Sequence, residues 1–144
     1  MQRVLITGAA GFAAHHLAAE LKTQGIEPVG LDLAAGPPGV PWVQGPIEDG
    51  QVLQSALASF TPEGVVHLAA ISSVPKAESD PAKTLRINVE GTLRVLEAVR
   101  QMRPMARVLL VSTAQVYGSV TDAVPISEDA PLRPESIYAL SKAL

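Results

Sequence analysis

The stretch that most constrains this chain is TGAAGFAA, Thr7 to Ala14, because it joins two segments of different period. Before it, RVLIT (Arg3–Thr7) is a short run of branched apolar residues, the pattern of a buried strand. After it, helical spacing runs from Phe12 to Gln24 and stops at Gly25. Gly8 and Gly11 let the backbone turn tightly, and Ala14 is small enough for the helix to sit close to the strand. A strand that feeds a helix this way needs a parallel partner later in the chain.

The rest of the sequence supplies several. EPVGLDL, ending at Asp32, reads as a second strand, and WVQG as a short third. GVVHLAA (Gly64–Ala70) and ARVLLVST (Ala106–Thr113) read as two more. EDGQVLQSALASF reads as a helix weakened by Gly50. Asp80 followed by Pro81 predicts a capped helix start, and the helix is expected to run to about Met102 on a stripe of Leu85, Val89, Leu93, Leu96 and Val99. A polar loop is expected from about Gly118 to Pro134, and Ser136 can cap a last helix. The order βαββαβαβ(α), with unalternating strands, predicts an α/β fold: a doubly wound parallel sheet, a Rossmann fold incomplete at its C-terminal side.

The 144 residues suit one domain, and 47% hydrophobic against 17% charged residues suits a packed core. A net charge of -3 offers no basic surface for nucleic acid and no polybasic membrane anchor. No run of about 18 apolar residues suggests a membrane span. The glycines, the His15–His16 pair and Glu20 argue against reading the N-terminus as a signal peptide. There is no cysteine, which suits a cytoplasmic setting and excludes thiolate chemistry. No metal site is expected, since His15 and His16, adjacent on a helix, diverge. His67, on a buried strand, reads as a satisfied core residue.

A glycine turn at a helix start presents free N–H groups and a positive dipole end, which suits a pyrophosphate. Gly8, Gly11, Phe12 and Ala13 are assigned to that task. Asp32 follows Gly8 by 24 residues, at a strand end, where its carboxylate can accept from both ribose hydroxyls of an adenosine. It would repel a 2′-phosphate, and no lysine or arginine lies between Asp32 and Lys76 to attract one. The expected cofactor is therefore NAD rather than NADP.

Tyr138 and Lys142 stand four apart and share a helical face. A free tyrosine titrates near pH 10, and a neighbouring ammonium favours its phenolate, so the pair can serve as an acid–base group. The lysine can also donate to a nicotinamide ribose. Thr113, at a strand end beside Ser112, can orient a substrate oxygen. Together these residues describe hydride transfer at a carbonyl or carbinol carbon, with Tyr138 moving the proton.

The stretches LITGAAGFAAHHL, VVHLAAISSV, DPAKTLRINVEGTLRVLEAVR, VLLVSTAQVYG and RPESIYALSKAL resemble the extended short-chain dehydrogenase/reductases, the NAD-dependent nucleotide-sugar epimerase/dehydratase family. They cover nearly all of the chain in family order. The resemblance implies that Thr113, Tyr138 and Lys142 are catalytic and that Ala69, Ala70 and Ser72 lie along cofactor and sugar. It implies supporting or substrate roles for Ser72, Ser73, Asn88 and Ser112, with Asn88 opening the family's N-x-x-G-T. Read without the family, Asn88 is a polar residue on a solvated helix face. Where the family often carries aspartate before an isoleucine that faces adenine, this chain has Pro46, which leaves the Ile47 backbone to reach the ring. Asp49 is not expected to substitute.

Within the family, DPAKTLRINVEGTL and PISEDAPLRPESIYALSK are most similar to the GDP-mannose branch, which holds GDP-mannose 4,6-dehydratase and GDP-4-keto-6-deoxy-mannose reductase. Dehydratases need an acid and a base just after the threonine, and here Ala114 and Gln115 are neutral. That favours a reductase, with a 4-epimerase or a 4,6-dehydratase as alternatives. Family members are considerably longer, so residues 1–144 are expected to be the N-terminal NAD-binding portion, without the C-terminal half that builds the sugar-nucleotide pocket. A homodimer is expected of the full-length form. A non-catalytic NAD-binding module and an inactive fragment remain open.

Overall fold

The computed structural model describes residues 2–119 and 125–144. Part of the loop expected between Gly118 and Pro134, residues 120–124, lies outside the described residues. Five parallel strands form one sheet: β1 (Arg3–Thr7), β2 (Glu27–Asp32), β3 (Trp42–Gln44), β4 (Gly64–His67) and β5 (Arg107–Leu110), in the order β3-β2-β1-β4-β5. β1 is central, with Leu5 registered against Val29 on one side and Val65 on the other. The order reverses between β1 and β4, so the loops after these two strands part and leave a crevice at the sheet's C-terminal edge.

Successive residues of β1 point to opposite faces. Val4 and Ile6 pack against Ala14 and Ala18 of helix α1 (Phe12–Thr23). Leu5, with Val29, Leu31 and Val65, packs against α2 (Gly50–Phe60) and α5 (Gly91–Met102) through Leu53, Leu57, Val95 and Val99. Each such leucine or valine stabilises the fold by about 1.5–3 kcal/mol on burial. α2 begins two residues later than the sequence pattern suggests. Asp49 caps it by accepting from the Gln51 amide at 2.8 Å, so Gly50 sits at the helix start, where its cost is small.

The long helix expected over 80–102 is divided. α3 (Val74–Ser79) precedes it and was not expected; α4 (Pro81–Leu85), capped by Asp80, passes through a π turn (Arg86–Glu90) into α5. A π turn holds an extra residue, which rotates the phase of everything beyond it. The buried positions are accordingly Thr84, Asn88, Gly91, Val95, Ala98 and Val99, whereas Leu93 of the expected stripe is 59% exposed. Asn88 is buried, not on a solvated face.

Two strands end earlier than expected. β4 stops at His67, leaving Leu68–Ala70 as loop, and β5 stops at Leu110, leaving Ser112 and Thr113 beyond it. β5 is also the sheet edge, and Leu109, Leu110 and Val111 are exposed rather than buried. A 3-10 turn (Ala114–Tyr117) and α6 (Ile137–Ala143) complete the described chain.

Candidate functional site

A cleft of about 540 Å³ opens at the C-terminal edge of the sheet, over the reversal between β1 and β4. The turn after β1 forms its floor. Gly8 adopts φ +73°, and a Cβ there would lie 2.7 Å from the Ala69 amide nitrogen. Only glycine permits that approach. Gly11 opens α1, and no side chain caps the first turn, which also holds no acidic residue. The amide donors and dipole at this helix start therefore line the cleft with no carboxylate from the helix's own first turn on them.

Asp32 stands beside that turn. Its Oδ2 accepts from the Ala10 amide and its Oδ1 from the Ala34 amide, both at 3.0 Å. Each oxygen keeps a further lone pair for a ligand hydroxyl. Glu48 also lines the cleft, 3.9 Å from Arg86 at its nearest atoms, and Lys142 is the one basic lining residue among those described. The Asp32 carboxylate, held beside the turn, disfavours a phosphate on the ribose. Pro46 and Ile47 line the cleft as well, while Asp49 is occupied as the α2 cap.

The opposite wall comes from the loop after β4 and from α6. Ala69, Ala70 and Ser72 line it, together with Tyr138 and Lys142. Ser136 caps α6 through the Ala139 amide, which fixes the helix start two residues before Tyr138. Lys142 donates from Nζ to the Val111 carbonyl at 3.0 Å, and Ser112 Oγ donates to the Lys142 carbonyl at 3.2 Å. Burial lowers the pKa of Lys142 from the ordinary lysine value.

Every residue assigned to the cofactor from the sequence (Gly8, Gly11, Phe12, Ala13, Asp32, Ile47, Ala69, Ala70, Ser72, Tyr138 and Lys142) lines this one cleft. Thr113, Ser112, Ser73 and Asn88 do not. Thr113 caps the 3-10 turn, its Oγ1 accepting from the Gln115 amide at 3.3 Å, so its own O–H stays free to donate. Ser73 precedes α3 without capping it. Asn88 acts behind the wall: its Oδ1 accepts from the Ile71 amide at 2.8 Å, and its Nδ2 donates to the Ile71 carbonyl at 3.1 Å and to Ser141 Oγ at 2.9 Å. Sequence reasoning missed several lining residues, among them Leu33, Glu48, Ile87 and Val111, and Ser141 as the partner of Asn88. Only Ser141 had a legible signal, three residues after Tyr138 and so one turn along the same helix.

The donor set fits a dinucleotide: an uncapped helix start over a glycine turn, a carboxylate fixed at a strand end, and a tyrosine and lysine across the cleft. The model of the NAD dependent epimerase/dehydratase family matches residues 4–144. The chain belongs to that family. GDP-6-deoxy-D-mannose reductase of Pseudomonas aeruginosa is 35% identical over 147 residues, covering 98% of this chain and 44% of that protein. dTDP-glucose 4,6-dehydratase of Xanthomonas campestris is 35% identical over 159 residues, covering 96% and 45%. Among solved structures, UDP-glucose 4-epimerase of Thermus thermophilus, in complex with NAD, superposes with a TM-score of 0.92 at 38% identity, covering 99% of this chain and 48% of that one. The chain of this epimerase/dehydratase family member thus spans less than half the length of these relatives.

Among the described residues, no helix is long and apolar enough to cross a membrane, and no group of three or more histidine, cysteine or acidic residues could hold a metal ion.

Proposed function

We propose that this chain is the cofactor-binding portion of an NAD-dependent oxidoreductase acting at the C4 keto or hydroxyl carbon of a nucleotide sugar, most similar to a GDP-4-keto-6-deoxy-mannose reductase. One observation carries the reading: the uncapped start of α1, Asp32 and the Tyr138–Lys142 pair line a single cleft. NAD bound there supplies the nicotinamide that takes or gives hydride. The first-turn amides of α1 hold the pyrophosphate, and Asp32 accepts from the adenosine ribose hydroxyls. Lys142 donates to the nicotinamide ribose. Tyr138 gives or takes the proton at the sugar oxygen, and the free O–H of Thr113 donates to that oxygen.

The neutral pair Ala114 and Gln115 favours a reductase over a dehydratase, which needs an acid and a base there. Glu135 is the carboxylate among the described residues lining the hollow beside Gln115. It is engaged by Ser119 Oγ at 2.6 Å and the Ser119 amide at 3.2 Å, and these bonds hold its pKa below the usual carboxylate range. A 4-epimerase is the second reading, favoured by the likeness to the Thermus enzyme, because it uses the same hydride and proton groups. Cytoplasmic residence and a homodimeric full-length form belong to the same proposal.

Titration with NADH, followed by nicotinamide fluorescence, should show saturable binding. No change at millimolar cofactor would remove the reading. In a longer form that turns over a keto sugar nucleotide, Tyr138→Phe should abolish turnover and spare NADH binding. Persisting activity would show that another group moves the proton.

A further inference from the structure

Behind the cleft lies a chain of hydrogen bonds whose directions are fixed by proton count. Thr92 Oγ1 donates its only proton to the main-chain carbonyl of Asn88, one turn back on its own helix, at 2.6 Å. It can therefore only accept from His67 Nε2, 2.9 Å away, which puts the imidazole proton on Nε2. His67 Nδ1 is then bare and accepts from Thr7 Oγ1 at 2.6 Å. Thr7 Oγ1 in turn accepts from the Ala69 amide at 3.3 Å. On the other side, Asn88 grips Ile71 and donates to Ser141 Oγ, which donates to the Tyr138 carbonyl at 2.7 Å. Every side-chain group in this chain has one consistent role, and no buried side-chain polar atom among the described residues lacks a partner.

We propose that His67 is a positioning residue: as the Nε2–H tautomer it locks the loop after β4, which lines the cleft, to helix α6, which carries Tyr138 and Lys142. The functional meaning rests on the oxidoreductase reading; the mechanical coupling does not. A hydrocarbon of similar size would fill the same space, but it would take the acceptor from Thr7 and the donor from Thr92, loosening both side chains. The Asn88 side chain would still bridge Ile71 and Ser141, but the helical turn that carries it would lose its tie through Thr92 to the end of β4, and the loop its tie through Thr7. The ring is fitted to this role because it stays neutral. Its pKa is lowered to about 4, first by burial and then by the charge of Lys142.

The test is residue-resolved amide hydrogen exchange by NMR on the ligand-free chain. In His67→Leu, exchange should accelerate about tenfold, the equivalent of one lost net hydrogen bond, at Ala69, Ile71 and the α6 amides, relative to α1 and α2. His67→Gln keeps a donor toward Thr92 and should restore α6 but not Ala69. His67→Asn keeps an acceptor toward Thr7 and should restore Ala69 but not α6. Uniform acceleration across the fold, or an α6 unmoved in the leucine variant, would overturn the proposal. Should the leucine variant not fold, the two amide variants and the wild-type tautomer decide. A long-range proton–nitrogen correlation must show Nε2 protonated and Nδ1 bare, and the reverse assignment overturns the proposal. Wild type that binds no NADH, yet shows the split rescue, would sink the oxidoreductase reading and leave the coupling standing.

Discussion

Gly8 and Gly25 make a matched pair for measuring how closely the first turn approaches its neighbour. Their φ values are +73° and +72°, so alanine meets the same backbone strain at both. That strain costs about 1–2 kcal/mol. At Gly25 nothing lies within 4 Å of an added Cβ, so the cost ends there. At Gly8 the methyl would sit 2.7 Å from Ala69 N, 2.9 Å from Ala69 Cα and 3.0 Å from the Leu68 carbonyl carbon. These are backbone atoms and cannot rotate away. The loop cannot retreat freely either, because the Leu68 amide is bonded to the Thr7 carbonyl at 3.1 Å. Overpacking of this kind adds about 1–3 kcal/mol. Gly8→Ala should therefore cost about 2–5 kcal/mol and Gly25→Ala about 1–2 kcal/mol, against a total stability of about 5–15 kcal/mol. Urea denaturation followed by far-UV circular dichroism reads the difference. With a slope of about 1–3 kcal/mol per molar, the midpoint of Gly8→Ala should fall below that of Gly25→Ala by on the order of 1 M. Equal midpoints would refute the steric argument, and with it the claim that the turn is pressed against the cleft wall.

Asp32→Asn removes the charge and one of the two acceptors for Ala10 and Ala34; NADH affinity should fall at least about tenfold, and the preference over NADPH should narrow in parallel fluorescence titrations. Asn88→Leu strands both polar groups of Ile71, so thermal or urea unfolding should register a loss of about 2–4 kcal/mol. The folded pKa of His67, about 4, lies below its unfolded value of 6.5, so the unfolded state binds more protons between them. The histidine's contribution to stability should rise with pH through that window and be flat above it. The histidine's share, lost as pH falls, is on the order of 3 kcal/mol. Urea midpoints of wild type and His67→Gln measured across the window should show a steeper dependence in wild type; parallel curves would contradict the assignment.

What was legible in the sequence was what is written locally. The turn from Gly8 to Ala14 combines short-range spacing with a change of period, and both survive folding unchanged. Asp32 was legible because a strand end and a parallel sheet together dictate where a carboxylate must stand. The π turn at Arg86–Glu90 was not legible. A single added residue leaves no compositional trace, yet it decides whether Asn88 faces water or Ile71. The exposure of β5 was also hidden, since RVLL reads the same at a sheet edge as at its centre. The polar chain at His67 joins Thr7 and Thr92 from two distant segments, and no sequence spacing announces such a meeting.

Asp32 has a consequence for timing. Its carboxylate is immobilised by the Ala10 and Ala34 amides within the folded chain itself. The rotamer entropy of this side chain is therefore surrendered during folding, and little remains to be lost when a ribose arrives. An encounter there is a docking onto a stationary acceptor rather than a mutual search, and its rate should be set by diffusion and desolvation instead of by rearrangement of the protein.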